Sequence, residues 1–356
     1  MTKKQAARAL IFFLGFLFIL RSVTYVVRTS GDVKERFAGF YAEKEDTIDV
    51  VMVGSSPVYP TYSAPKLYGE HGIVAYPLSS NNQRPKAIRY LIKEALKTQN
   101  PELFIVELRM FTMTDEEWED TMVFTRGVTD NMKYSMNRIQ AINALVSDES
   151  ERYTYYFDIF KYHSNWKLLF MPSQLALWRY EKQDPLKGLQ IKLGVGPTEY
   201  ADMSGVTAVQ EPVEAQVEAL NDLLSYIEET DKEFLFIISP YVMKESAKEQ
   251  YNYIIPVIEA AGHEVLDLNE YVDEIGLDFS QDTYDYGSHV NALGQAKCTA
   301  FLGEYLEEHY DLPDRRGQEI YDSWEDAWEL YQTEQAEAEK SCLEDIANEK
   351  WMEPID

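Results

Sequence analysis

Five short apolar runs punctuate the chain beyond residue 40, at 49–53, 73–78, 103–108, 234–239 and 264–268. Runs of that length predict strands covered on both faces, as in a parallel sheet. Between and after them, apolar positions recur at helical spacing over 85–99, 211–229, 247–261 and 291–309. Pro85 and Pro212 sit where a first helical turn tolerates proline, and Gly262 sits where a helix would stop. Strands alternating with helices predict an open α/β domain with a doubly wound parallel sheet, which takes ligands at the carboxyl ends of its strands.

The rhythm fails between 110 and 210, a stretch rich in Met, Trp and Tyr. A hundred structureless residues do not fit inside a compact domain, so this stretch is read as a largely helical insertion, or cap, over the active edge of the sheet. Ahead of the first strand, residues 9–27 are apolar apart from Arg21 and a few small polar residues, close to the roughly 20 residues that span a bilayer. Lys3, Lys4 and Arg8 precede the span and predict a cytoplasmic N-terminus with the body outside. A cleaved signal peptide is the competing reading, because the dense apolar part covers only 9–20; no Ala-x-Ala-like site follows it, which favours an uncleaved anchor. The expected organisation is a membrane anchor over 1–30, an α/β domain over 31–317 carrying the 110–210 insertion, and an acidic tail over 318–356. In that tail Trp324, Trp328 and Tyr331 fall on one helical face.

Composition narrows the partners. The chain has 356 residues, 45% of them apolar, and a formal net charge of −28, which argues against binding nucleic acid. Its two cysteines, Cys298 and Cys342, could pair once in an oxidising compartment but make neither a disulfide framework nor a zinc site. No histidine–carboxylate cluster has ligand spacing, so neither a metal nor a cofactor is expected.

The candidate chemistry lies at two distant points. The first strand runs into Gly54-Ser55-Ser56, and Asp285-Tyr-Gly-Ser-His289-Val-Asn291 opens the last helix of the domain. Both fall at carboxyl ends of predicted strands. A serine on such a turn, with a histidine and an acid at the far end of the domain, can assemble a nucleophile, a base and an orienting carboxylate. His289 is the base, since neutral imidazole takes the serine proton and returns it to the leaving group.

The blocks Val-Gly54-Ser55-Ser56, Tyr76-Pro-Leu-Ser-Ser-Asn-Asn-Gln83 and Asp285…His289-Val-Asn291-Ala-Leu-Gly294 resemble the SGNH (GDSL-type) hydrolase superfamily. The likeness is closest to its membrane-anchored bacterial branch, which includes D-alanyl transfer proteins of teichoic acid and acetyltransferases of exported polysaccharides. It covers about 48–110 and 230–310, and residues 162–166 are also similar to that branch. The resemblance implies a flavodoxin-like sheet with Ser56 as nucleophile, and Ser55 stands where the family usually has an acid. The family places its orienting acid three residues before the histidine, where this chain has Tyr286; Asp285 lies four before, and Asp282 is the substitute. The family's second-block glycine matches Asn82, and its third-block asparagine is replaced by Glu107-Leu-Arg109. Oxyanion or substrate contacts are therefore expected from Asn81, Asn82, Gln83 or Arg109, and His163 could line an acceptor site.

These implications converge on an extracytoplasmic O-acyltransferase or esterase acting on a cell-envelope glycopolymer, teichoic acid or exopolysaccharide. A polytopic membrane acyltransferase would be its partner. The alternative is a catalytically inactive relative that binds polymer or scaffolds an envelope assembly complex. Residue patterns leave transfer and hydrolysis undecided, because both pass through one acyl-enzyme.

Overall fold

In the computed structural model, which describes residues 1–28, 30–114 and 124–353, the five apolar runs form strands. They are β1 (Val50–Val53), β2 (Ala75–Pro77), β3 (Leu103–Glu107), β4 (Glu233–Ile238) and β5 (Glu264–Asp267). All neighbours pair in parallel, in the order β2-β1-β3-β4-β5. The chain leaves β1 in one direction for β2 and in the other for β3. The carboxyl ends at that reversal diverge into the crevice where such sheets bind ligands.

The helices of eight residues or more are α1 (Lys3–Val27), α2 (Asp32–Ala42), α3 (Ala64–His71), α4 (Pro85–Ala95), α5 (Met136–Leu145), α6 (Glu214–Ile227), α7 (Glu245–Ala260), α8 (Ala292–His309) and α9 (Asp322–Ala347). Alternate strand residues face opposite ways. Val51, Val53, Val106 and Phe236 share a core with α4, α6 and α7. Met52, Ile105 and Ile237 share the other with Leu67 of α3 and Cys298, Leu302 and Leu306 of α8. Both faces are thus covered, which is why the strands read as unbroken apolar runs rather than as alternating ones.

The acidic tail docks. Helix α9 buries Trp324, Ala327, Tyr331 and Cys342, and it packs on α3 and α8. Trp328 lies flat against Gly69, where a Cβ would stand 2.1 Å from the indole, so only glycine permits that approach. Cys298 and Cys342 are both buried free thiols. Residues 354–356 of the tail and 115–123 of the insertion lie outside the described residues.

Helix α1 is 25 residues long and is the one helix among the described residues long and apolar enough to cross a membrane. Its apolar side chains from Leu10 to Ile19 are exposed, whereas Tyr25, Val26 and Val27 are buried, Tyr25 in a cluster with Ala38 and Leu177. At its end, the buried Arg28 donates from Nε to Asp158 at 2.6 Å and from its fork to the Asp130 carbonyl. Asp158 also accepts from buried Arg138 at 2.8 Å. Removing one partner from such a buried cluster strands a charge, so the cluster fixes α1 to the insertion.

Among its described residues, the insertion is largely helical up to Leu177. Short helices at Thr125–Thr129, Arg152–Tyr156, Ile159–Tyr162 and Pro172–Leu177 join α5 and a 3-10 segment, His163–Phe170. Helix α5 packs on α4, and the segments from Ile159 to Leu177 lie along α1. Thr125–Thr129 comes close to the loop after β2, where a Cβ on Gly127 would sit 3.8 Å from that of Ser80. From 178 to 210 the chain has no regular structure. That irregular strap, rather than the longer helices, runs beside the candidate site: Gln190 N–H donates to Tyr59 O at 3.1 Å, and Ala292 N–H donates to Lys192 O at 2.9 Å.

Candidate active site

The turn after β1 needs its glycine. Gly54 has φ +153°, and a Cβ there would stand 2.6 Å from the Glu107 Cβ. This tight crossing lets Ser55 turn inward while Ser56 stays partly exposed. Val58 N–H closes the turn on Ser55 O at 3.2 Å, and a helical turn, Val58–Thr61, follows.

Beneath the turn lies Glu107, fully buried at the end of β3. Its Oε1 accepts the Arg109 N–H at 3.1 Å. Burial pushes the Glu107 carboxyl up to about 7, against the opposing pull of the Arg109 charge and of the peptide N–H groups of Arg109, Ser239 and Ser55. Those residues lie at the ends of β1, β3 and β4, so one carboxyl lies beneath the three strand ends nearest the site.

The second half of the site is a short loop before α8. Thr283 and Val290 bridge antiparallel at its neck, and Tyr284 N–H donates to His289 O at 3.2 Å. Tyr286 and Gly287 both have positive φ, +60° and +93°, which makes a tight reversal. The reversal absorbs the extra residue and returns the Asp285 carboxylate onto His289. One oxygen accepts the His289 N–H at 2.6 Å, and the other lies 2.6 Å from Nδ1. His289 Nε2 lies 2.8 Å from Ser56 Oγ. Asp282 turns elsewhere and binds Lys297 Nζ at 2.5 Å, so Asp285 is the acid on the ring. Asn291 caps α8, its side chain accepting from the backbone of Leu293 and Gly294.

Electrostatics favour a neutral imidazole. Burial depresses the His289 pKa, the Asp285 hydrogen bond opposes that, and the charges of Arg109 and Lys192 add to the depression. For Asp285, burial alone would raise the carboxyl; the hydrogen bonds and charge of His289, with Arg109, outweigh it and hold it below the usual range. The resting pair is a carboxylate and a neutral ring, with Nδ1–H on Asp285 and Nε2 free to accept from Ser56.

The other expected residues divide. Arg109 donates to Ser288 O at 2.6 Å and lies 4.1 Å from the Tyr241 ring, so it braces the histidine loop. Asn81 accepts from Tyr59 OH at 2.6 Å. Asn82 has φ +42°, a left-handed conformation that glycine adopts most easily. Gln83 is buried, and its Nε2 has no hydrogen-bond partner among the described residues; the same holds for Ser55 Oγ. His163 is not brought to this group: it is exposed on the 3-10 segment along α1, 3.1 Å from the Phe160 carbonyl.

Sequence reasoning missed Lys192 and Tyr284. The Tyr284 ring stacks on His289 at 5.9 Å between centroids, and the Lys192 ammonium lies 5.3 Å from the Tyr284 ring. Tyr284 adjoins Asp285 and was within reach of sequence reasoning; Lys192 arrives on the irregular strap, with no local signal. No protein-family model matches this chain, and no curated protein matches its sequence.

Proposed function

We propose that the chain is a membrane-anchored serine acyltransferase or esterase of the SGNH type, with a flavodoxin-like sheet, acting outside the cytoplasm on a cell-envelope glycopolymer. The observation that carries this reading is the hydrogen-bonded row Ser56 Oγ, His289, Asp285, assembled from opposite ends of the domain at the carboxyl edge of the sheet. The left-handed Asn82, standing where the resembled family has glycine, agrees with it. So do Lys3, Lys4 and Arg8 in the first turns of α1, before its apolar stretch, a charge pattern that favours a cytoplasmic N-terminus.

In the first step Ser56 Oγ attacks the carbonyl carbon of an acyl donor while His289 Nε2 takes the serine proton. Asp285 holds the ring in the tautomer that accepts at Nε2 and stabilises the imidazolium that forms. The negative charge on the carbonyl oxygen is met by peptide N–H groups at the Ser56 turn and by the 81–83 loop. The tetrahedral species collapses, the donor's C–O bond breaks, and His289 returns the proton to the departing oxygen. A sugar hydroxyl, or water, then attacks the acyl carbon while giving its proton to His289; the bond to Ser56 breaks, and His289 returns that proton to Ser56 Oγ.

The full-length protein treated with a serine-reactive fluorophosphonate tests the reading. The wild type is expected to label, Ser56→Ala not at all, and His289→Ala more slowly by at least ~10³-fold. A folded wild-type protein that resists the probe would overturn the nucleophile and favour the polymer-binding or scaffolding alternative. In a labelling-competent protein, adding a sugar acceptor to an activated ester separates transfer from hydrolysis.

A further inference from the structure

The geometry points to residues 152–178 as a platform that lies in the outer surface of the bilayer beside α1. Its side chains face outward in a way a water-facing insertion does not require. Phe157, Phe160, Trp166 and Phe170 are 55%, 59%, 54% and 74% exposed, with Met171 and Leu175 beside them at 44% and 41%. They cluster rather than scatter: the Phe157 and Phe160 rings meet at 6.3 Å, and those of Trp166 and Phe170 at 6.0 Å, edge on. So many large apolar side chains turned outward on one short segment mark a surface that meets something other than water.

The position of the patch identifies the occupant. The inference rests on the reading of α1 as a bilayer-spanning helix. The body buries Tyr25, Val26 and Val27 at the end of the 9–27 stretch, so the length free to face lipid is counted from Lys3 to Arg21. It rises about 27 Å at ~1.5 Å per residue, close to the ~30 Å of a hydrocarbon core, with the stems of Lys3, Lys4 and Arg8 snorkelling to the inner headgroups. Phe18, near the outer end, meets the Trp178 ring at 5.9 Å, edge on. Trp178 is the last residue of the platform, and His163–Phe170 packs along the same helix. The patch therefore stands at the depth where Trp and Tyr rings collect in membranes. Charge agrees: from 152 to 182 the chain carries five Lys and Arg against two acidic residues, in a protein of net charge −28. One of those two, Asp158, is bound inside by Arg28 and Arg138, while Lys161 and Lys167 are exposed to meet headgroup phosphates. Aromatic side chains with flanking cations suit an interfacial segment lying in the membrane plane.

The test uses the full-length protein in nanodiscs of phosphatidylcholine and phosphatidylglycerol, labelled with an environment-sensitive dye through Phe12→Cys, Phe170→Cys or, on exposed Leu343 of α9, Leu343→Cys. The native thiols are buried. The dye at 170 is expected to be quenched by lipids carrying a nitroxide near the headgroup. Aqueous iodide should quench it several-fold less than the dye at 343, and the dye at 12 should respond to nitroxides deep in the chains. Equal iodide quenching at 170 and 343, with 12 in lipid, overturns the platform and leaves the anchor standing. Iodide reaching all three overturns both. Protection of 170 from iodide without quenching by any lipid nitroxide overturns the membrane assignment in favour of contact with a second copy of the protein.

Discussion

At the carboxyl edge of the sheet, polar side chains are set into an apolar frame, and Ser56, His289, Asp285 and Arg109 each meet a partner within 2.8 Å. Along 152–178 the arrangement is inverted: the charges of Arg28, Asp158 and Arg138 are sealed inside, and aromatic rings are turned out. The sheet edge has parallel strands and two short turns to fix its atoms, so position comes from backbone. Residues 152–178 have only short helical pieces, and a buried ionic cluster ties them to α1. One region is held by geometry, the other by electrostatics.

The largest expected effect lies on the sheet edge and separates two neighbouring acids. On the proposed reading, Asp285→Asn should lower acyl transfer about 10⁴-fold with the fold intact, since it presents the wrong partner to His289 Nδ1. Asp282→Asn should leave the rate within a few-fold and lower the melting temperature, because it leaves Lys297 unpaired. Equal rate losses in both would mean that the loop does not select Asp285.

On the insertion side, Asp158→Ala removes the carboxylate that Arg28 and Arg138 share, leaving Asp130 as their nearest acid, and should cost about 3 kcal/mol. Thermal melting, with proteolysis mapped to 124–178, measures it, and Ser56 labelling of the protein that remains folded should persist. Loss of labelling in folded protein would merge the two regions that the comparison keeps apart.

Glu107 gives a smaller effect with a defined sign. Its folded pKa of about 7 lies above the ordinary carboxyl value of 4.5, so the stability it contributes is complete below pH 4.5 and is lost as pH rises towards 7. Relative to Glu107→Gln, the wild type should lose up to about 3 kcal/mol across that window. A constant difference between the two melting curves from pH 4.5 to 7 would refute it. Smallest is a shift in pH dependence. The half-point of fluorophosphonate labelling should fall below 6.5, as burial of His289 requires, and should move upward in Arg109→Gln.

How far each region could be read from sequence follows the same division. The five strands were legible because burial on both faces writes an apolar run into the chain itself, as in Val50–Val53 and Leu103–Glu107. Ser56 and His289 were legible because each follows a strand or precedes a helix with glycine or asparagine at the junction. The choice between Asp285 and Asp282 was not, because it turns on two consecutive positive φ values at Tyr286 and Gly287, and tyrosine gives no sign of one. Helix 85–99 ends early, at Ala95, and the strap from 178 to 210 has no periodicity to betray that it carries Lys192 to the Tyr284 ring that stacks on the imidazole. The outward aromatics of 152–178 resemble core residues in sequence. Only their neighbour α1 distinguishes them.

The Arg28 cluster also governs how the protein meets other molecules. Because the last turn of α1 is welded to the body rather than joined by a flexible tether, the two translate and tilt together. On the proposed reading, any lipid-embedded donor would meet the serine by two-dimensional diffusion, at nearly constant height and orientation. Its effective concentration would then depend on the area of the membrane rather than on the volume of the surrounding medium.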